Sequence, residues 1–130
     1  MKITAIVLIL SFWALVSCGE ENNAAQMVDQ ETFTEKMNGD FQLLDVRTEE
    51  ELEETGVIGD PRHLDLSNDR FREEVTQLDQ DEPVLLYCRT DNRSGQAAHF
   101  LAEEGYEEVY YLEGGIVDWQ NEGRETEESE

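Results

Sequence analysis

Between residues 31 and 123 the chain alternates between two apolar rhythms. Apolar side chains three or four positions apart predict helices, and short unbroken apolar runs predict buried strands. Phe33 and Met37, one turn apart, predict a helix over 32–38 that stops at Gly39. The run 41–46 predicts a buried strand. Thr48 followed by Glu51 makes a capping box for a short helix over 49–54, ended by Gly56. After a loop at 57–61, residues 62–66 predict a strand. Ser67 is placed to cap a helix over about 69–78, with Phe71, Val75 and Leu78 on one face. The run 83–87 is apolar throughout and predicts a central strand. Ala97, Ala98, Leu101 and Ala102 predict a helix over 95–104 that packs closely on a sheet, with Gly105 as its stop. A strand at 108–112 follows. Gly114-Gly115 then turns into a last helix carrying Ile116, Val117 and Trp119, stopped at Gly123. This alternation predicts an α/β domain over 31–123, with a mostly parallel central sheet of about five strands and helices on both faces. Active sites in such sheets lie outside the carboxyl ends of the strands.

The flanks have a different pattern. Lys2 precedes an apolar stretch, 3–16, interrupted only by Thr4 and Ser11, which is too short for a spanning helix and suits an export signal. It ends Leu15-Val16-Ser17-Cys18-Gly19, which resembles the lipobox of bacterial lipoproteins. That resemblance implies a signal peptide over 1–17, cleavage before Cys18 and lipid on its thiol. The mature protein would then be held on the periplasmic or outer side of a bacterial membrane. Residues 18–30 are polar and predict a flexible tether. Residues 124–130 predict a disordered acidic tail.

The 130 residues include 32 acidic and 9 basic ones, a formal charge of -23. A face for a nucleic-acid backbone needs clustered basic residues, so nucleic acid is excluded as a partner. The acidity predicts solubility and a monomer. His63 and His99 have no Cys or His partner at metal spacing, so no metal is expected. No phosphate-binding or dinucleotide fingerprint is present, and no cofactor is expected.

The chemistry concentrates in Cys88-Arg89-Thr90-Asp91-Asn92-Arg93-Ser94, between the apolar strand and the alanine-rich helix. A loop curling there turns successive N–H groups inward, with a helix dipole behind them. With two arginines nearby, these surroundings favour a thiolate. Such a sulfur attacks soft electrophiles and can hold a second sulfur as a persulfide. With Cys18 assigned to lipid, Cys88 has no disulfide partner.

Three segments in this order resemble the single-domain rhodanese-like sulfurtransferases. They are Leu43-Leu44-Asp45-Val46-Arg47 with the acidic helix after it, the loop from Cys88 to Ser94, and Leu112-Glu113-Gly114-Gly115-Ile116. The resemblance implies that Cys88 is the sulfur-accepting nucleophile. Arg89, Thr90, Asp91, Asn92 and Arg93 would form the substrate-binding cradle, and Ser94 would start the next helix. It further implies a small sulfur-containing anion as donor, a thiol or cyanide as acceptor, and no cofactor. Asp45 and Arg47 are expected to form a structural pair near the sheet end.

Four residues separate Cys88 from Arg93. Phosphatases with a similar loop have one residue more, and the tighter cradle suits one sulfur better than a phosphate. A phosphatase or arsenate-reductase activity is therefore the weaker reading. A low-turnover sulfur carrier or protein-binding module is the stronger alternative. Two departures from the family pattern stand out. Asp91 stands where glycine is usual, consistent with a left-handed backbone that Asp tolerates. Its carboxylate beside the cradle opposes a second negative charge, which implies weak thiosulfate affinity and a higher kcat/KM in Asp91→Gly. Val57 replaces a histidine in the loop at 56–61, which implies a locally altered loop.

Overall fold

A computed structural model describes residues 24–130. The proposed signal peptide and Cys18 lie outside them. The described chain is built from β1 (Ala25–Val28), α1 (Gln30–Lys36), β2 (Gln42–Asp45), α2 (Glu49–Thr55), β3 (Arg62–His63), α3 (Phe71–Val75), β4 (Val84–Tyr87), α4 (Asn92–Glu103), β5 (Val109–Leu112) and α5 (Gly115–Asn121). The five strands form one sheet in the order β1-β5-β4-β2-β3, with every pairing parallel.

Side-chain alternation along the strands divides the core into two layers. Leu44, Leu86 and Val109 face one way and pack with Phe71 and Val75 of α3 and with Ala97, Ala98 and Leu101 of α4. Leu43, Leu85, Tyr87 and Leu112 face the other way and meet Phe33 of α1 and Ile116 and Trp119 of α5. All four residues of β4 are buried, as expected of the central strand. Its carboxyl end delivers Cys88 to the edge of the sheet.

Several stretches differ from the sequence reading. The stretch read as tether contains β1, which pairs with β5 from Ala25↔Val109 to Val28↔Leu112. This strand borrows its structure from backbone pairing at the sheet edge, and with Gln26 and Met27 both exposed its side chains show neither an unbroken apolar run nor a clean alternation. Ser67 does not cap α3. Its hydroxyl and N–H both donate to Asp65 Oδ1, and the shorter helix starts after Arg70 without a side-chain cap. Helix α4 starts at Asn92, so Asn92, Arg93 and Ser94 form its first turn.

The acidic tail is also ordered, because its backbone satisfies groups that would otherwise be unpaired. Glu127 exchanges two backbone hydrogen bonds with Val57, at 2.7 and 2.8 Å. The Trp119 indole N–H donates to Glu125 O at 2.9 Å. Composition reports the charge of this segment but not these backbone partners. Among the described residues, no helix is long and apolar enough to cross a membrane.

Candidate active site

Cys88 is 1% exposed, on the floor of the loop between β4 and α4. Its sulfur lies 3.4 Å from the Ser94 N–H, which donates to it, and 3.4 Å from the Ser94 hydroxyl. That hydroxyl also reaches Asp91 O at 3.3 Å. As a thiol, Cys88 donates to the hydroxyl. As a thiolate, it can accept from both Ser94 groups. Twelve-residue α4 adds the partial positive charge of its N-terminus. Ser94 lies in the first turn of α4, and its N–H reaches the Cys88 sulfur.

Helix α5 shapes the rest of the cradle from outside. Ile116 N–H donates to Cys88 O at 3.0 Å, and Val117 N–H donates to Arg89 O at 3.1 Å. In a trans peptide the carbonyl and the following N–H point in opposite directions. Anchoring the Cys88 and Arg89 carbonyls on α5 thus turns the N–H groups of Arg89 and Thr90 away from it. The close approach depends on Gly115, at φ 58°, where a Cβ would collide with Thr90 O and Arg89 O.

Asp91 has φ -149° and ψ 0°, and no non-glycine residue among those described has positive φ. The expected left-handed backbone is therefore absent. The Asp91 carboxylate instead accepts the Gly114 N–H at 3.1 Å. Gly114 is the N-cap of α5 and provides no side-chain cap. The carbonyls of Cys88 and Arg89 accept the Ile116 and Val117 N–H groups of the first turn, and the Asp91 carboxylate holds the N–H of Gly114 itself. Glycine at 91 would lose this contact and relieve no backbone strain.

Arg93 grips Glu51 of α2 through two nitrogens, each 2.7 Å from a carboxylate oxygen. The same carboxylate closes the capping box by accepting from Thr48 N–H at 2.9 Å. The Arg93 hydrogen bonds, helped by the Thr48 N–H and working against partial burial, hold the Glu51 carboxyl down at about 2. Glu51 in turn raises the Arg93 guanidinium. The sequence reading assigned Glu51 only to the cap and missed it at the site. The usable signal was an acidic side chain on the first turn after Arg47, where α2 leaves the carboxyl end of its strand.

The other loop residues are at the rim. Arg89 and Thr90 are exposed, and the Arg89 guanidinium makes no ion pair among the described residues. The Asn92 side chain accepts from Gln96 Nε2 at 3.1 Å on the outer face of α4.

Asp45 and Arg47 form a buried network of their own. Arg47 meets Asp45 at 2.7 Å, with both side chains buried, and also donates to Thr55 Oγ1 and Gly56 O at 2.7 Å. His63 Nε2 lies 2.6 Å from Arg47 O, and the guanidinium stacks 5.7 Å from the Tyr87 ring centroid. This network ties β2, α2 and β3 together. Burial and the neighbouring Asp45 charge push the Tyr87 phenol up, and its oxygen accepts the Ile58 N–H at 2.9 Å. In the altered loop at 56–61, Val57 is buried and pairs through its backbone with the tail. Among the described residues, no three His, Cys, Asp or Glu side chains are grouped to hold a metal.

A five-stranded parallel sheet with a cysteine loop at the carboxyl end of its central strand agrees with the comparisons with known proteins. The rhodanese-like domain model matches residues 29–122, and the chain belongs to that family. A sulfurtransferase from Allochromatium vinosum is 33% identical over 98 residues, covering 74% of this chain and 89% of that protein. The thiosulfate sulfurtransferase GlpE of Ectopseudomonas mendocina is 40% identical over 65 residues, half of this chain and 58% of that protein. Among solved structures, a rhodanese-related protein from Thermoplasma volcanium superposes with a TM-score of 0.70 at 27% identity. That match covers 80% of this chain and 99% of the other.

Proposed function

We propose that this chain is a sulfurtransferase that carries sulfane sulfur as a persulfide on Cys88. The observation that carries this reading is the Cys88 sulfur beneath the Ser94 N–H at the start of α4, in a loop whose carbonyls are drawn outward by α5. The Cys88 thiolate attacks the sulfane sulfur of thiosulfate, a persulfide or a polysulfide. The donor's S–S bond breaks, and the leaving group takes the bonding pair: sulfite from thiosulfate, a thiolate from a persulfide. The new outer sulfur then sits where the loop N–H groups converge. In the second half-reaction a thiol or cyanide attacks that sulfur and the Cys88 thiolate is restored, which is ping-pong covalent catalysis.

The four-residue spacing from Cys88 to Arg93 favours this over phosphoryl or arsenate chemistry. A second reading is a sulfur carrier that serves one protein partner with little turnover. It is favoured by the engagement of Arg93 with Glu51, which leaves that guanidinium less available to a small anion.

The lipobox-like segment around Cys18 supports a membrane-tethered protein acting outside the cytoplasm. Thiosulfate:cyanide turnover by the purified chain, beside Cys88→Ser, tests the enzyme reading. Turnover that disappears in the variant supports it. Absence of cysteine-dependent turnover with every small donor leaves only the carrier.

A further inference from the structure

Around the Cys88 loop the formal charges balance, although Arg89 makes no ion pair among the described residues. Arg93 is held by Glu51 through both carboxylate oxygens. Arg47 is held by Asp45 and is fully buried. The exposed Arg89 is two positions from Asp91, whose carboxylate is fixed at the loop by Gly114 N–H. Asp65 also acts electrostatically on Arg93. The whole chain carries a formal net charge of -23. A dianionic donor therefore approaches a site with no surplus positive charge, on a protein whose field repels it. Its dianionic leaving group finds the Arg93 fork already filled.

We infer that the donor is a hydropersulfide whose organic part is neutral or cationic, and that Glu51 and Asp91 set this preference against thiosulfate. The inference rests on the sulfur-transfer reading of Cys88. In the loading step the Cys88 thiolate attacks the terminal sulfur of R–S–SH and a new S–S bond forms. The bond to the inner sulfur breaks, R–S⁻ leaves with the electron pair, and Cys88 is left as Cys–S–SH. Only sulfane sulfur moves, so no external oxidant or reductant enters. The departing thiolate carries one charge on sulfur, where thiosulfate would release a dianion. Glu51 and Asp91 act here as specificity-determining residues, through the charges they place beside the loop.

The test uses the purified full chain with two donors, cysteamine hydropersulfide and thiosulfate. Loading of Cys88 is followed by intact mass, and kcat/KM is measured at rising salt. Glu51→Gln keeps an acceptor for the α2 cap and frees the Arg93 charge. Asp91→Asn keeps an acceptor for Gly114 N–H and removes the loop carboxylate. The preference for hydropersulfide over thiosulfate is expected to narrow by about tenfold in Glu51→Gln and about threefold in Asp91→Asn. Thiosulfate kcat/KM in the unmodified chain is expected to rise with salt, as screening weakens a repulsion. A thiosulfate rate that falls with salt, or a donor preference unmoved in both variants, overturns the inference while Cys88 still loads. If neither donor loads Cys88, the sulfur-transfer reading itself fails.

Discussion

Two arginines grip carboxylates on this side of the sheet, in opposite settings. Arg47 and Asp45 are two residues apart, with side chains 1% and 0% exposed. Arg93 and Glu51 are 42 residues apart, with side chains 32% and 23% exposed. The first pair is surrounded by further acceptors, Thr55 Oγ1 and Gly56 O, so its charge is fully used inside the fold. The second ties α2 to the first turn of α4, next to Cys88, and remains open to water on one side. A buried pair of this kind is costly to break because removing one partner strands the other charge. A half-exposed pair is cheaper to break, and its charges can still be felt by a ligand. The buried pair builds the frame, and the exposed pair adjusts the loop that the frame presents.

The sharpest way to break this contrast is Arg47→Ala. It leaves Asp45 buried and unpaired and frees the Gly56 carbonyl, and is expected to cost about 3–5 kcal/mol. Urea unfolding measures this, and a loss below about 1 kcal/mol would erase the distinction between the pairs. Gly115→Ala comes next. A methyl group at φ 58° would meet the Thr90 and Arg89 carbonyls, so the loop must move. A cost of about 2 kcal/mol is expected. Sulfur transfer should fall more steeply than stability, since the displaced backbone forms the cradle.

Acid titration follows. The Glu51 carboxyl lies at about 2 in the fold, against 4.5 ordinarily. A depressed carboxylate contributes stability that is fully present above its unfolded value and lost as pH falls through its folded one. The contribution is therefore expected to fade between about pH 4.5 and 2, and to amount to about 1–2 kcal/mol. Denaturant midpoints of the unmodified chain and Glu51→Gln should converge across that window. The smallest effect belongs to the tail. Removing residues 125–130 frees the Trp119 indole N–H and both Val57 backbone groups, yet leaves Arg47 its Gly56 partner. A loss of about 1 kcal/mol is expected in thermal melts.

The parallel sheet and its two helical layers were legible because apolar periodicity records burial directly. Leu43, Leu44, Leu85 and Leu86 announce strands covered on both faces. The place of Cys88 was legible because the apolar run before it and the small-residue helix after it put it in the loop at a strand's carboxyl end. Less visible were features that depend on partners distant in sequence. β1 exists through its pairing with Val109–Leu112, and its own side chains do not announce it. The tail is ordered by Val57 and Trp119. Glu51 looked complete as a capping residue, and only the fold brings Arg93 to the same carboxylate. Asp91 was read from the usual glycine at its position, whereas its conformation is set by the Gly114 N–H that its carboxylate meets.

The central proposal, that Cys88 holds transferable sulfur, is tested most directly by intact mass and peptide mapping after exposure to a sulfane donor. The expected result is a gain of one sulfur atom on the peptide containing Cys88, removed by a thiol or cyanide and absent in Cys88→Ser. An unmodified Cys88 with every donor, or an adduct that persists in Cys88→Ser, would contradict it.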